Sequence, residues 1–454
     1  MTTTIAAIST GNAPGGIGVI RISGENAVKI ANSVFECRDK SSLSDLDGYR
    51  AKFGSIVIDG EKQDDAVALV FRAPRSYTGE DVAELSVHGG MLAVQKTLDA
   101  VFKAGAVPAE AGEFTKRAFL NGKMDLTQAE SVADIISAEG EEALKASFSA
   151  LHGRTSRSVN AVLEKLLDAS ATMAAWVDYP DEEIPEMTET ALGATLEFCK
   201  AELESLLKNY DKGQTVKNGV DTAIVGRPNV GKSSLMNMLT GTDKSIVTHI
   251  EGTTRDIVEE DVRLGGIVLH LKDTAGLRES GDLVENIGIE KAYKALDEAR
   301  LVLAVFDSSE GLTDEDKELV KRCDGKLSVA VINKTDLEKV ADTAEIEAAF
   351  DRTVYISAKN DEGLEELESA VTSLLGVADF DSNAPLLANM RQKQHCASAL
   401  ASVTEALDGV ALGVTFDAIN VMIDSAADEL LSLTGKKANA EVVNNIFSKF
   451  CVGK

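Results

Sequence analysis

The run Gly226-Arg227-Pro228-Asn229-Val230-Gly231-Lys232-Ser233-Ser234 has the spacing G-x-x-x-x-G-K-S, and that spacing does chemistry. It turns backbone N–H groups inward at a helix N-terminus, where unpaired donors and the helix dipole favour an anion. Lys232 then reaches the outer phosphates of a nucleotide, and the Ser233 hydroxyl ligates magnesium. Farther along, Asp273-Thr274-Ala275-Gly276 offers a carboxylate to the magnesium shell through water, and the Gly276 N–H to a γ-phosphate. Asn333-Lys334-Thr335-Asp336 supplies a base reader. Asp336 can accept from N1–H and the 2-amino group of guanine, and adenine offers neither donor. Ser357-Ala358-Lys359 can present backbone N–H to the guanine oxygen. Together these runs favour GTP over ATP.

The segment Thr248-His249-Ile250-Glu251-Gly252-Thr253-Thr254-Arg255-Asp256 is expected to complete the magnesium shell through a threonine, with Thr254 the choice. Leu277 follows Gly276 where many GTPases carry a glutamine that orients the attacking water. Leucine cannot make that bond, so hydrolysis needs another polar group and another positive charge. Asn229, with carbonyls of the switch segment, can hold a monovalent cation beside the β- and γ-phosphates. Arg255 and Arg278 are rival charge donors, and a plain turn role for Asn229 is the alternative.

The elements that must position these groups are legible around them. Thr222-Ala223-Ile224-Val225 reads as a strand before the phosphate loop, and Leu235-Met236-Asn237-Met238-Leu239 as a helix after it. Apolar runs precede Asp273, Asn333 and Ser357, in the order a Ras-like P-loop domain requires, which argues against a circular permutation. The first third alternates strands with short helices between turn signals and reads as an α+β domain. There Ile20 and Ile22 fall on one face and Arg21 on the other, and Glu84 likewise opposes Ala83, Leu85 and Val87. Ordinary solvent-facing charge is the bland reading of both. The basic cluster in Gly112–Leu126 suits an anionic small molecule, RNA or charge balance. Helical spacing of apolar residues fills the chain from Thr127 to Gln214 and again from Met390 to Phe450. The expectation is a multidomain chain of α/β and α units: an α+β N-terminal domain over residues 1–119, a helical domain over 120–214 and 377–454, and an inserted Ras-like P-loop G domain over 215–376. A long coiled coil lacks the heptads it would need.

Bulk properties set the frame. The 454 residues are enough for about three domains. No apolar run is long enough to span a bilayer, and the start lacks a basic segment and a cleavage site, so a cytoplasmic protein is expected. The five cysteines are odd in number and far apart, which suits reduced thiols. The five histidines are scattered and show no metal cluster. A net charge of −28 argues against autonomous RNA binding without excluding RNA as a shared substrate.

The chain closely resembles the MnmE (TrmE) family of bacterial tRNA-modification GTPases over essentially its whole length. The residues that carry the resemblance are Gly226–Asn237, Gly252–Asp256, Asp273–Ser280, the run Gly112–Glu130, and the ending Cys451-Val452-Gly453-Lys454. A ribosome-assembly GTPase shares the first three and lacks the last two. The resemblance implies action with MnmG, an FAD- and NADH-using partner, in a heterotetramer or larger complex. Together they would build an aminomethyl or carboxymethylaminomethyl group on C5 of the wobble uridine of tRNA. The one-carbon donor is a tetrahydrofolate, 5,10-methylene or 5-formyl. It further implies a homodimer through the N-terminal domains and potassium in place of an arginine finger. By similarity Asn229, Thr248, Ile250 and Thr253 surround potassium, Ser233 and Thr254 hold magnesium, and Glu285 positions water indirectly. The folate site falls on Arg21, Glu84, Lys123 and Lys454. Cys451 beside it is a reactive thiol or a buried structural cysteine. The other readings are a GTP-switched RNA-binding or ribosome-assembly factor and a folate enzyme acting alone. The absence of a G-x-G-x-x-G fingerprint after a strand weakens the last.

Overall fold

The computed structural model describes residues 3–11, 13–178, 188–241, 260–271 and 294–454. They form two compact units, Met1–Ala133 with Val159–Glu197 and Ala401–Lys454, and Asp134–Ser158 with Phe198–Leu400.

In the first unit, β1 (Ile5–Ile8), β2 (Ile17–Ser23), β3 (Phe35–Cys37), β4 (Arg50–Ile58), β5 (Glu61–Phe71), β6 (Val82–His88) and β7 (Val107–Pro108) form one sheet in the order β3-β4-β5-β6-β2-β1-β7. Only β1 and β7 run parallel. The β2–β6 register sets Ile20 opposite Leu85, Arg21 opposite Glu84 and Ile22 opposite Ala83. The four apolar residues are fully buried beneath the helices Ala27–Val34 and Met91–Lys103. Neighbouring side chains on a strand point to opposite faces, so Arg21 and Glu84 meet on the other side. That side is not open to solvent. Ile5, Ala7, Ala109 and Phe114 bury against it, with Tyr77 packed on them, so the bland reading of the two charges does not hold.

Helical segments from both ends of the chain join this unit. Val159, Val162, Leu166 and Met173 form a buried stripe on the helix Arg154–Asp178, and Ile419, Ile423, Ala426 and Leu430 another on Phe416–Thr434. Ser170 Oγ donates to Asp424 Oδ1 at 2.7 Å, and Lys436 Nζ to Asn160 Oδ1 at 2.9 Å. Leu126 and Ala129 bury with Val443 and Phe447 of the helix Ala440–Phe447. Helical residues before and after the second sheet, within Val159–Glu197 and Ala401–Lys454, therefore pack in one unit that the second unit interrupts in sequence. Among the described residues no helix is long and apolar enough to cross a membrane.

The second unit holds β8 (Val220–Val225), β9 (Glu260–Leu264), β10 (Ile267–Leu271), β11 (Leu301–Asp307), β12 (Ser328–Asn333) and β13 (Arg352–Tyr355), in the order β13-β12-β11-β8-β10-β9. All pairs are parallel except β9 with β10. Leu301, Leu303 and Val305 bury on one face with Val329 and Val331, while Val302, Ala304 and Phe306 bury on the other with Ala330 and Ile332. A sheet covered on both faces explains why these strands read as continuous apolar runs. Within this unit the segments that lead into and out of the sheet meet: Gln214 Nε2 and Lys217 Nζ both donate to Ala388 O, at 3.1 and 3.0 Å. Adjacent ends are what an inserted domain needs.

The fold gathers one histidine with acidic partners despite their separation in sequence. His270 Nδ1 lies 2.7 Å from Asp261 Oδ1 and Nε2 lies 2.9 Å from Asn218 O, with Glu139 alongside. Asn218 O is an acceptor and the Asp261 carboxylate another, so the arrangement favours the form with protons on both ring nitrogens. Burial alone would lower the His270 pKa, but the Asp261 carboxylate and the Asn218 carbonyl outweigh it and raise it above 6.5. A raised folded-state pKa contributes stability that is complete below the unfolded value, about 6.5. That stability is lost as pH rises through the folded value. An NMR titration should find an imidazole signal, absent in His270→Gln, that titrates above 6.5. The variant should also lose less of its melting temperature than the parent between pH 6.5 and 8. A titration below the ordinary value would refute the imidazolium.

Candidate functional site

The C-terminal ends of β8, β11 and β12 lie side by side, where an open parallel sheet accepts ligands. From the end of β8 the chain turns through Gly226 to Gly231 into the helix Lys232–Gly241. Asn229 stands at φ 63° with an exposed side chain, a backbone that asparagine tolerates better than most residues. Val230 is buried, and its carbonyl accepts from Asn333 Nδ2 at 2.9 Å. Lys232 Nζ folds back to donate to Gly226 O at 2.7 Å and Arg227 O at 2.8 Å. Burial lowers the Lys232 pKa, opposed by the nearby Glu315. A half-buried ammonium held, among the described residues, by loop carbonyls is primed to exchange them for an anion. Ser233 and Ser234 open the helix with exposed side chains.

On β12, Asn333 joins the phosphate loop to the base-reading loop. While Nδ2 holds Val230, Oδ1 accepts from the Ala358 N–H at 3.1 Å. Lys334, at φ 65°, pairs through Nζ with Asp307 Oδ2 at 2.5 Å. Asp336 is exposed, and its Oδ1 accepts from Ser357 Oγ at 2.7 Å. That bond leads the causes that lower the Asp336 pKa, with Lys359 and Lys334 adding to it. Asp336 is thus an ionised acceptor at neutral pH. Lys359 is exposed beside it. A cleft of about 530 Å³ runs between the Lys232–Gly241 helix and this loop, lined by Ser234, Asn237, Met238, Ala358, Lys359 and Leu364. Neither Asp336 nor Lys334 lines it, so it adjoins the base-reading groups without containing them.

Thr248, Ile250, Thr253, Thr254, Arg255, Asp273, Thr274, Ala275, Gly276, Leu277, Arg278 and Glu285 lie outside the described residues.

Two of the four N-terminal candidates, Arg21 and Glu84, meet on the covered face of the first sheet. Arg21 Nε and Glu84 Oε1 pair at 2.8 Å, with side chains 18% and 20% exposed. The Arg21 guanidinium lies 5.4 Å from the Tyr77 ring centroid and 5.7 Å from that of Phe114. Phe114 links this pair to the chain's last residue, since its N–H donates to Lys454 O at 3.2 Å. The tail is threaded tightly. Gly112 N–H donates to Cys451 O at 3.3 Å and Ser9 Oγ to Gly453 O at 3.1 Å, while Ala111 bridges Val452. At Gly453, φ is +97° and a Cβ would sit 2.2 Å from Ile8 O. Lys123 is exposed, and its Nζ donates to Pro74 O at 3.0 Å. Cys451 is exposed, and the other four cysteines are buried.

Some residues around these sites escaped the sequence reading. Tyr77 and Phe114 carry no motif, although Phe114 lies inside the singled-out basic run. Asp307, which holds Lys334, and Ser309, which holds Asp307, had only the signal of polar residues ending an apolar strand. Arg227 contacts Glu310 at 2.7 Å and the buried Asp316 at 3.3 Å, bracing the phosphate loop from outside.

Comparison with known proteins covers the whole chain. Residues 4–123 match the family model "GTP-binding protein TrmE N-terminus", and residues 126–451 match "MnmE helical domain". A tRNA modification GTPase MnmE of Listeria innocua is 41% identical over 99% of both chains. That of Acetivibrio thermocellus is 40% identical over 99% of both, and that of Carboxydothermus hydrogenoformans 41% identical over 100% of both. With two family models and full-length relatives matching in register, the chain belongs to the MnmE family of tRNA-modification GTPases.

Proposed function

We propose that this chain hydrolyses GTP in its second unit and uses the nucleotide cycle to drive tRNA modification. The observation that carries the reading is Asn333. One buried amide ties the phosphate loop to the loop bearing Asp336 and Ser357, so a phosphate group and a guanine base would be recognised by one rigid frame. Kinship over the full length of relatives named as tRNA modification GTPases supports the product class.

Within that reading, Lys232 leaves the Gly226 and Arg227 carbonyls for the outer phosphates, and Asp336 accepts from guanine. Val230, Gly231 and Ser234 line the loop and helix start around the phosphates; Asn333, Lys334, Ser357, Ala358 and Lys359 frame the base. Ser233 and Thr254 are the magnesium ligands, and Asn229, Thr248, Ile250 and Thr253 surround potassium. The exposed amide of Asn229 at the mouth of the loop suits that role. When bound, the two cations neutralise charge on phosphate oxygens. Asp273 reaches the magnesium through water, the Gly276 N–H faces the γ-phosphate with Thr274 and Ala275 beside it, and Glu285 positions indirectly the water that Leu277 cannot.

In the first unit, Arg21, Glu84, Lys123 and Lys454 are the folate residues. Glu84 suits the amino edge of a pterin and the cations suit the glutamate tail, with Tyr77 and Phe114 as apolar walls. Cys451, exposed at the tail, is a candidate thiol there. The proposed setting is a cytoplasmic homodimer working with MnmG, whose FAD and NADH supply the redox chemistry, on the wobble uridine.

The test has two arms. Purified chain should turn over GTP and not ATP, and faster in potassium than in equimolar sodium. Equal rates in the two salts would remove the cation role of Asn229. A deletion strain should lack the C5 modification of wobble uridine, and an unaltered nucleoside profile would favour an RNA-binding or ribosome-assembly role.

A further inference from the structure

We infer that Asp307 is a positioning residue for base recognition, acting through Lys334; the inference rests on the GTP reading above. Asp307 closes β11, and its side chain is 1% exposed. Both carboxylate oxygens are engaged. Oδ2 takes Lys334 Nζ at 2.5 Å, and Oδ1 takes the Ser309 N–H and Oγ at 2.9 and 2.7 Å.

The same turn also grips the backbone of Lys334. Ser308 is buried, its Oγ donates to Lys334 O at 2.9 Å, and its N–H donates to Asn333 O at 3.0 Å. Lys334 needs that support, because φ 65° is a conformation a side chain with a Cβ adopts only at a cost. Residues 307–309 thus hold Lys334 at its ammonium and at its carbonyl, and Asp336 is only two residues on. With the ammonium committed to Asp307, the methylene stem is the part of Lys334 left for a flat, apolar base face. With the carboxylate buried and Lys334 Nζ its direct ion-pair partner, the pairing is directional rather than a loose surface contact.

The binding of a base is felt equally in the ground and transition states, so its loss should appear in KM and not in kcat. The experiment uses the full chain, a fluorescent methylanthraniloyl GDP and GTP turnover. Asp307→Asn should weaken GDP about ten- to thirty-fold, the worth of one charge-assisted hydrogen bond, and raise KM alike with kcat within about two-fold. In a Lys334→Ala background the same change should add less than about two-fold, because its path of action is gone. Equal losses in both backgrounds, or a fall in kcat at constant KM, would overturn the inference. Should Asp307→Asn fail to fold, Ser308→Ala removes only the bond to the Lys334 carbonyl. It should cost about three-fold in GDP affinity, and no loss would count against the inference. A parent chain that ignores GDP overturns the GTP reading along with this one. A parent that binds GDP beside an unaffected Asp307→Asn overturns this one alone.

Discussion

Alanine at position 231 is expected to weaken guanine-nucleotide binding a hundred-fold or more while the central sheet stays folded. Gly231 has φ +99°, and a Cβ there would lie 2.1 Å from Asn333 Nδ2. A side chain in a left-handed conformation costs about 1–2 kcal/mol. The amide must also leave, abandoning Val230 O at 2.9 Å and loosening its bond from Ala358 N–H at 3.1 Å. Asn333 is 2% exposed, so water cannot replace those bonds. A buried polar group left unpaired costs about 1–3 kcal/mol. The two penalties sum to roughly 2–5 kcal/mol against the binding-competent loop, the middle of which is about two to three decades in affinity. The apolar layers on Leu303 and Phe306 are untouched, so the far-ultraviolet dichroism should not change. Titration with fluorescent GDP decides the matter. A loss below three-fold would mean that Asn333 does not set the shape of the loop.

The second large effect is a change of base. Asp336→Asn should lose about a hundred-fold in kcat/KM for GTP and gain activity with xanthosine triphosphate. The Ser357 hydroxyl at 2.7 Å is the main reason the Asp336 carboxyl titrates below its usual range. At neutral pH the group is therefore an acceptor only, matched to the two donors on guanine. Asparagine keeps one acceptor and sets an N–H₂ group against the 2-amino group, leaving two donors face to face. A site built for a hydrogen bond discriminates strongly when that bond is denied, here by about two decades for an exposed group. Xanthine carries a carbonyl at the same carbon and can accept from the new amide. Comparing the two triphosphates on both proteins gives the answer. Loss of GTP activity without a gain for xanthosine triphosphate would place base selection elsewhere.

The parts of these sites that were readable in advance are those whose geometry is local. G-x-x-x-x-G-K-S specifies a strand, a turn and a helix within a few residues, and the loop at Gly226–Ser234 follows it. Continuous apolar runs reported buried parallel strands because both faces of that sheet are covered. Alternation around Arg21 and Glu84 assigned each to the polar side of its own strand. Placing them within 2.8 Å of each other required a pairing between strands 63 residues apart, which alternation does not specify.

What lay beyond the sequence is long-range and depends on packing. The Asn333-Lys334-Thr335-Asp336 motif placed Asn333 among the nucleotide residues, but its task as a strut comes from a bond to Val230, 103 positions away. Spacing alone made Arg21 and Glu84 solvent charges, whereas Phe114 and Tyr77 cover their face. His270 read as one of several scattered histidines, and its pKa is raised only because β9 and the end of the Glu189–Asn218 helix bring two acceptors to its two nitrogens. The residues by themselves determined which chemistries this chain carries, because backbone turns, strand periods and donor or acceptor character are properties of a few neighbouring residues. Tertiary structure decided which of those groups meet, because contact between distant residues depends on how whole elements bury their apolar faces.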